Sequence, residues 1–303
     1  MGGKIKTLLL QTWKLERGNV LKIKTLKKIA LSVIDTLLTR NSHISRINEF
    51  EVTQQWGLWP DRTLNPLTRN PARYWSQADE DSITLKIFNR LEIQKGTFVE
   101  IGCGDGLQNN TLVLLSQGWR GGWIDGINLS FEIPADSRLK HKNAWVTRNN
   151  VVELIKATVP QDFENKLNFL SLDLDGNDYH LLTEVLQSDI TIDVIVLEYN
   201  ARFPENSEWI MPYNEMHTWQ DDDYFGASLF SFNKLLTIFE YTLVACSVQG
   251  SNAFFVHNKF TPKFQDIPKT IEEIYQPPLY YLVHQWAQKA SPNTVKQMLR
   301  KND

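Results

Sequence analysis

From residue 97 onward, short apolar runs alternate with stretches whose apolar residues recur three and four positions apart. The first pattern marks buried strands, the second helices packed on one face. Strands are predicted at 97–101, 121–125, 143–148, 168–174, 192–199, 240–247 and 252–257, and helices at 109–117, 150–158, 178–187 and 227–238. This alternation predicts an α/β fold, a Rossmann-like, doubly wound and mostly parallel sheet of seven strands. The last two strands are separated only by Val248-Gln249-Gly250-Ser251, so the sheet should end in an antiparallel hairpin.

The flanks read differently. Residues 1–48 carry ten Lys and Arg against two acids, and Leu26, Ile29, Ala30, Val33, Ile34, Leu37 and Leu38 keep helical spacing. Two readings stand: an amphipathic helix lying on anionic lipid or a partner, or a helix packed on the main domain with a solvated basic face. Pro60, Pro66 and Pro71 break residues 50–75 into an irregular entry loop, and Ser76 to Leu91 reads as a helix. The tail from 259 is read as helical, with Ser291 as an N-cap before Pro292. The expected division is therefore 1–75 as a basic helical extension and entry loop, 76–258 as the main domain, and 259–303 as a tail.

The strand at 97–101 runs into Glu100-Ile101-Gly102-Cys103-Gly104-Asp105-Gly106, and Gln108, Asn109, Asn110 and Thr111 follow with helix-start character. Strand, glycine turn and helix make a cradle for a nucleotide cofactor, because glycines let the backbone approach a ligand closely. A nicotinamide fingerprint needs a third glycine where Leu107 stands, and a P-loop needs Gly-Lys-Ser/Thr, which is absent. The loop resembles motif I of class I S-adenosylmethionine-dependent methyltransferases. That resemblance implies S-adenosylmethionine as cofactor, held through Glu100, Gly102, Gly104, Asp105, Gly106 and Asn109.

Ligands of open α/β sheets bind at the carboxyl ends of the strands. The second strand ends in Asp125, placed to accept from both ribose hydroxyls. After the third strand, Asn149 is a candidate adenine contact, and Asn149 or Asn150 a candidate cap. The fourth strand ends in Asp173-Leu174-Asp175-Gly176-Asn177-Asp178, and alternation puts Asp173 and Asp175 on one side. Such close like charges need a cation or a shared proton. The fifth strand ends at Glu198 and Asn200; with Asp173 these offer oxygen ligands for a hard ion such as Mg²⁺. His180 follows on the next helix as a candidate base near neutral pH. Residues 201–226 interrupt the rhythm with many aromatics and His217. They read as a substrate lid or as an ordered insertion with its own small core.

Together, Ser76-Gln77, Glu80-Asp81, Phe98 to Gly102, Gly118-Trp119-Arg120-Gly121, Leu170 to Gly176 and Asn252 to Val256 resemble the FkbM-type methyltransferases over about residues 74–258. Those proteins mostly O-methylate sugars and related polyhydroxylated metabolites, often in polysaccharide or natural-product clusters. The resemblance adds Gln77 and Asp173 as cofactor contacts. The Asp-x-Asp pair is also similar to metal-dependent sugar O-methyltransferases, which implies Asp173 as Mg²⁺ ligand and Asp175 as general base. The chain departs from that group at Glu198-Tyr199-Asn200, where the group carries paired aspartates.

Composition narrows the partners. The 303 residues carry a net charge of -3, so no global nucleic-acid footprint appears. Two cysteines make no disulfide framework and suggest a reducing, cytoplasmic compartment, with peripheral contact to the inner face of a membrane if residues 1–48 bind lipid. The expectation is a methyltransferase acting on a small-molecule or carbohydrate acceptor. Its rival is a non-catalytic protein of the same fold that binds a partner through residues 1–48.

Overall fold

A computed structural model describes Gln54 and residues 57–160, 165–279 and 291–298. Met1–Gln55 and Trp56–Asp303 form separate compact units, and the fold below is that of the second. The basic helix expected within 1–48 lies outside the described residues.

Seven strands form one sheet: β1 (Thr97–Ile101), β2 (Arg120–Asp125), β3 (Leu139–Asn143), β4 (Lys166–Leu172), β5 (Thr191–Glu198), β6 (Tyr241–Cys246) and β7 (Asn252–His257). Their order is β3-β2-β1-β4-β5-β7-β6. β7 runs antiparallel to both β5 and β6, and the other pairs are parallel, so the expected terminal hairpin is present. The helices are α1 (Glu80–Leu91), α2 (Leu112–Ser116), α3 (Val151–Thr158), α4 (Asp178–Leu186), α5 (Leu229–Ile238), α6 (Ile271–Ile274) and α7 (Pro292–Met298). Strand alternation feeds two cores. Val99, Ile101, Leu170, Ile195 and Leu197 pack toward the residues of α3, α4 and α5. Phe98, Phe169, Val194 and Val196 pack on the other face, with Ile83 and Phe88 of α1 and Val113 of α2. Both faces are covered, as parallel sheets require.

Three boundaries differ from expectation by more than two residues, each for a local reason. The third strand lies at 139–143, not 143–148. It is an edge strand paired only to β2, and Leu139 is its one buried residue, so its sequence lacks an apolar pattern. The apolar Ala144-Trp145-Val146 belongs to the following loop. α2 begins at Leu112 rather than 109, because the Asn110 and Thr111 amides donate to Glu100. α1 begins at Glu80 rather than 76, because Tyr74, Trp75 and Ser76 donate their backbone N–H groups to Asp81 Oδ2 at 2.8, 2.7 and 2.8 Å. In the tail, Ser291 Oγ does cap α7, accepting from Asn293 and Thr294.

The start of α1 also anchors the hairpin. Asp79 Oδ1 accepts from Val248 N at 2.8 Å, and Glu80 Oε1 accepts from Asn252 Nδ2 at 3.1 Å. Burial, then the charge of Glu80, pushes the Asp79 carboxyl up to about 8.

Asp81→Ala should cost about 2–3 kcal/mol in urea denaturation, since three N–H groups lose one charged acceptor; an unchanged midpoint would remove Asp81 from this role. The Asp79 carboxyl ionises near 4 when unfolded and near 8 when folded, so its contribution to stability falls as pH rises through that window. Asp79→Asn should therefore flatten the decline of the urea midpoint between pH 5 and 8, and an equally steep decline in the variant would refute the assignment.

Candidate active site

The strand order reverses between β1 and β4, so their carboxyl ends open the crevice where an α/β sheet binds ligands. The glycine loop leaves β1 and the aspartate turn leaves β4 at that point. The two backbones approach so closely that a Cβ on Gly102 would lie 1.6 Å from the Asp173 carbonyl oxygen. Gly102 also holds φ at 91° and donates its N–H to Ile124 O at 2.9 Å.

Gly104 is the complementary case. Its φ is 54°, yet nothing lies within 4 Å of where a Cβ would be. Its N–H donates to Asp125 Oδ2 at 2.7 Å, and the other Asp125 oxygen accepts from Ile127 N at 2.9 Å. Asp125 thus braces the glycine loop from the tip of β2 and keeps lone pairs for a ligand. Asn109 Nδ2 donates to Cys103 O, while its buried Oδ1 has no partner. An open space beside Gly104, a carboxylate at the β2 tip and an orphaned amide oxygen fit a cofactor with hydroxyl and amino donors. Asp105 is exposed on the outer side of the loop, where its carboxylate accepts from Leu107 N and Ser130 Oγ.

Glu100 lies under the loop. Its oxygens accept from Asn110 N at 2.9 Å, from Thr111 N at 3.1 Å and from the Thr111 hydroxyl. Burial still raises its carboxyl above the usual range. Its contacts shape the loop from below rather than reach into the cradle.

At the tip of β4, single oxygens of Asp173, Asp175 and Glu198 lie within 4.8 Å of one another. Burial, then the neighbouring carboxylates, raises both Asp173 and Glu198 well above the usual range. Glu198 Oε2 is buried without a hydrogen-bond partner. Asp175 sits in left-handed backbone, φ 52°, which is costly for a residue with a side chain. Burial, then Asp178 and Asp221, pushes its carboxyl up to about 6. Asp178 holds this turn, accepting from Leu174 N at 2.8 Å and Gly176 N at 2.9 Å.

Four candidate residues stand apart from this cluster. The Asn200 amide is committed to the insertion: Nδ2 donates to Asp223 O and Phe225 O, and Oδ1 accepts from Arg202 N. Of the residues expected to hold a cation, Asp173 and Glu198 converge with Asp175, and Asn200 does not join them. His180 Nε2 meets the Met211 carbonyl at 2.8 Å, so it donates there and is not placed as a base. Burial lowers its pKa. Asn149 is exposed, and Asn150 next to it receives Thr147 N on its Oδ1. Gln77 is exposed at the turn before α1.

The 201–226 insertion is ordered around Phe203, Trp209, Met211 and Tyr224. It is fastened to the aspartate turn by Asn177 Nδ2 to Asn214 O, Asn214 N to Asn177 Oδ1, and Gly226 N to Gly176 O, at 2.8, 3.1 and 2.9 Å. From the β3–α3 loop, Trp145 Nε1 donates to Glu215 O at 2.8 Å. No local pattern in the chain announces these long-range partners. The nearest signal was Gly176 itself, where a Cβ would lie 2.5 Å from His217 Cδ2.

No family model matches the chain, and no curated protein matches it. Solved structures resemble it distantly. One is a Burkholderia thailandensis 1,6-didemethyltoxoflavin-N1-methyltransferase with bound 1,6-didemethyltoxoflavin and S-adenosylhomocysteine: 14% identity, 58% of this chain, 76% of that chain, TM-score 0.37. A Lactococcus lactis protein described as a hemolysin gives 14% identity over 63% and 92% of the two chains, TM-score 0.39. The N-terminal domain of EvdMO1, in the presence of S-adenosylhomocysteine and D-fucose, gives 13% identity over 59% and 82%, TM-score 0.35.

Gly102 and Gly104 separate fold from cradle. Gly102→Ala forces a methyl into the β4 backbone and should cost about 3 kcal/mol or more in a urea melt. Gly104→Ala meets only left-handed strain, about 1–2 kcal/mol, and should stay folded while losing cofactor affinity. Equal destabilisation by both would contradict the geometry.

Proposed function

We propose that the protein transfers a methyl group from S-adenosylmethionine to a hydroxyl oxygen of a sugar or a related polyhydroxylated metabolite, as its FkbM-type resemblance implies. One observation carries the reading. The glycine cradle and the strained Asp175 turn face the same crevice, at the point where the strand order reverses.

The loop around Gly104, with Asp125 at the β2 tip and Asn109 behind it, would hold the cofactor. When bound, S-adenosylmethionine supplies a methyl group already activated on a sulfonium. What remains for the chain is to align an acceptor oxygen and to take its proton. A hydroxyl is a weak nucleophile at its free pKa, so a positioned base is needed. Asp175, at about 6, is ionised at neutral pH and basic enough to accept that proton on a carboxylate oxygen. Asp178 fixes the turn that aims it. Burial raises Asp173 and Glu198 well above the usual range, which favours their neutral forms and keeps the charge beside Asp175 low. The same three carboxylates have the composition of a hard divalent cation site, where an ion would offset their charge and lower the pKa of an acceptor hydroxyl.

Calorimetric titration with S-adenosylhomocysteine, with and without Mg²⁺, tests the reading. Binding near micromolar, weakened by Asp125→Ala, is expected; no binding in either condition would sink it. Asp175→Asn should keep that affinity and lose about 10²–10⁴-fold in methyl transfer to the best sugar of an acceptor panel. In the unmodified protein the rate should fall as pH drops through about 6, because a protonated Asp175 cannot act as base. A pH-independent rate, or an active Asp175→Asn variant, would remove Asp175 from that role.

A further inference from the structure

The insertion meets both halves of the crevice, and the same short strap, residues 213–217, makes both sets of contacts. Toward the β3–α3 loop, Glu215 O accepts from Trp145 Nε1 at 2.8 Å. The Tyr213 hydroxyl accepts from Arg148 N at 3.3 Å, and the Arg148 guanidinium lies 5.6 Å from the centre of the Tyr213 ring. Toward the aspartate turn, Asn214 exchanges two hydrogen bonds with Asn177, and the His217 ring lies against Gly176. The strap thus joins the loop after β3 to the turn after β4. Between those strands the sheet carries β2 and β1, whose tips bear Asp125 and the glycine loop.

At the β3 end the strap fixes one ring. Trp145 Cε3 lies 3.5 Å from where a Cβ on Gly126 would stand, so the indole rests on the β2 tip next to Asp125. An indole has a single polar atom, a donor, and here it is spent on Glu215 O. The ring nevertheless stays 48% exposed, and Ile127, the residue after Gly126, 57%. Two large apolar side chains left open beside a strand-tip carboxylate mark a surface that a ligand covers. In the methyl-transfer reading that ligand is the adenosyl group of the cofactor. Trp145 therefore faces two ways: its ring borders the cofactor site, and its N–H holds the insertion. Covering the ring restricts its motion, and the hydrogen bond passes that restriction to Glu215.

We infer that residues 213–217 couple the cofactor site to the base: Trp145, once covered, steadies the strap, and the strap steadies the turn that carries Asp175 through Asn177 and Gly176. Trp145 and Asn177 are positioning residues, since both act through other groups. The inference rests on the methyl-transfer reading above and goes beyond it, giving the insertion the task of linking cofactor occupancy to the placement of Asp175. Such coupling is reciprocal, so a steadier insertion also strengthens cofactor binding.

Backbone amide exchange on the full chain, with and without S-adenosylhomocysteine, tests this with no acceptor present. The Gly104 and Ile127 amides, both bonded to Asp125, report the cofactor end. The His217 amide, bonded to Asn214 O, reports the strap, and the Gly176 amide, bonded to Asp178, reports the turn. The Asn258 amide, bonded to Glu240 O on the β6–β7 side, corrects for stabilisation of the whole fold by ligand. S-adenosylhomocysteine should slow all four reporters beyond that control, the two remote ones by about fivefold, the effect of one hydrogen bond. Trp145→Phe keeps a ring on the β2 tip and cannot donate to Glu215. In that variant the ligand should still slow Gly104 and Ile127 but no longer His217 or Gly176. Asn177→Ala cuts the strap at its other end, so the ligand should still slow His217 and lose much of its effect on Gly176. Slowing confined to Gly104 and Ile127 in the unmodified protein, or remote slowing that survives Trp145→Phe, would overturn the coupling and leave the methyl-transfer reading standing. No slowing at Gly104 and Ile127, with no heat of binding, would overturn that reading and the coupling with it.

Discussion

The close approach of β1 and β4 governs this structure. The Asp173 carbonyl oxygen fills the space where residue 102 would carry a side chain, so only glycine joins β1 to its loop. That packing brings the end of β1 to the end of β4 and sets the cradle and the carboxylate turn on either side of one crevice. The parallel register from Phe98–Phe169 to Ile101–Leu172 carries the constraint along the whole pair. A shift of one residue would turn Asp173 and Asp175 to the opposite face.

The crevice is expensive to build, because it collects carboxylates where water is scarce. Each acid is offset in one of two ways. Glu100 and Asp178 accept backbone N–H groups from the segments they shape, so burying the carboxyl also fixes a turn. Burial, then the neighbouring carboxylates, holds Asp173 and Glu198 well above the usual range, toward their neutral forms. Asp175 falls between these cases, and its intermediate position is what leaves it titrating near neutral pH.

Much of this was legible in the residues. Phe98 to Gly106 announced a buried strand and a glycine turn, and the apolar run ending in Asp173 and Asp175 announced the second wall. Both signals are local, and a sheet turns local signals into a shared site at the strand ends. β3 was misplaced because an edge strand needs no apolar alternation; Lys140 and Lys142 carry none. Glu100, Asn200 and His180 look like ligand residues in sequence, yet their partners at 110–111, 202, 211, 223 and 225 are visible only after folding. The packing of the His217 ring on Gly176 joins positions 41 residues apart, a contact no local pattern announces.

The insertion and the aspartate turn are therefore one mechanical unit. Asn177 exchanges two hydrogen bonds with Asn214, Gly176 accepts from Gly226, and His217 lies on Gly176. All three ties reach the turn that holds Asp175 in left-handed backbone. Strain of that kind persists only where surrounding contacts over-determine it, and here Asp178 supplies them from one side and the insertion from the other. Moving the insertion as a flap would break the ties that aim Asp175.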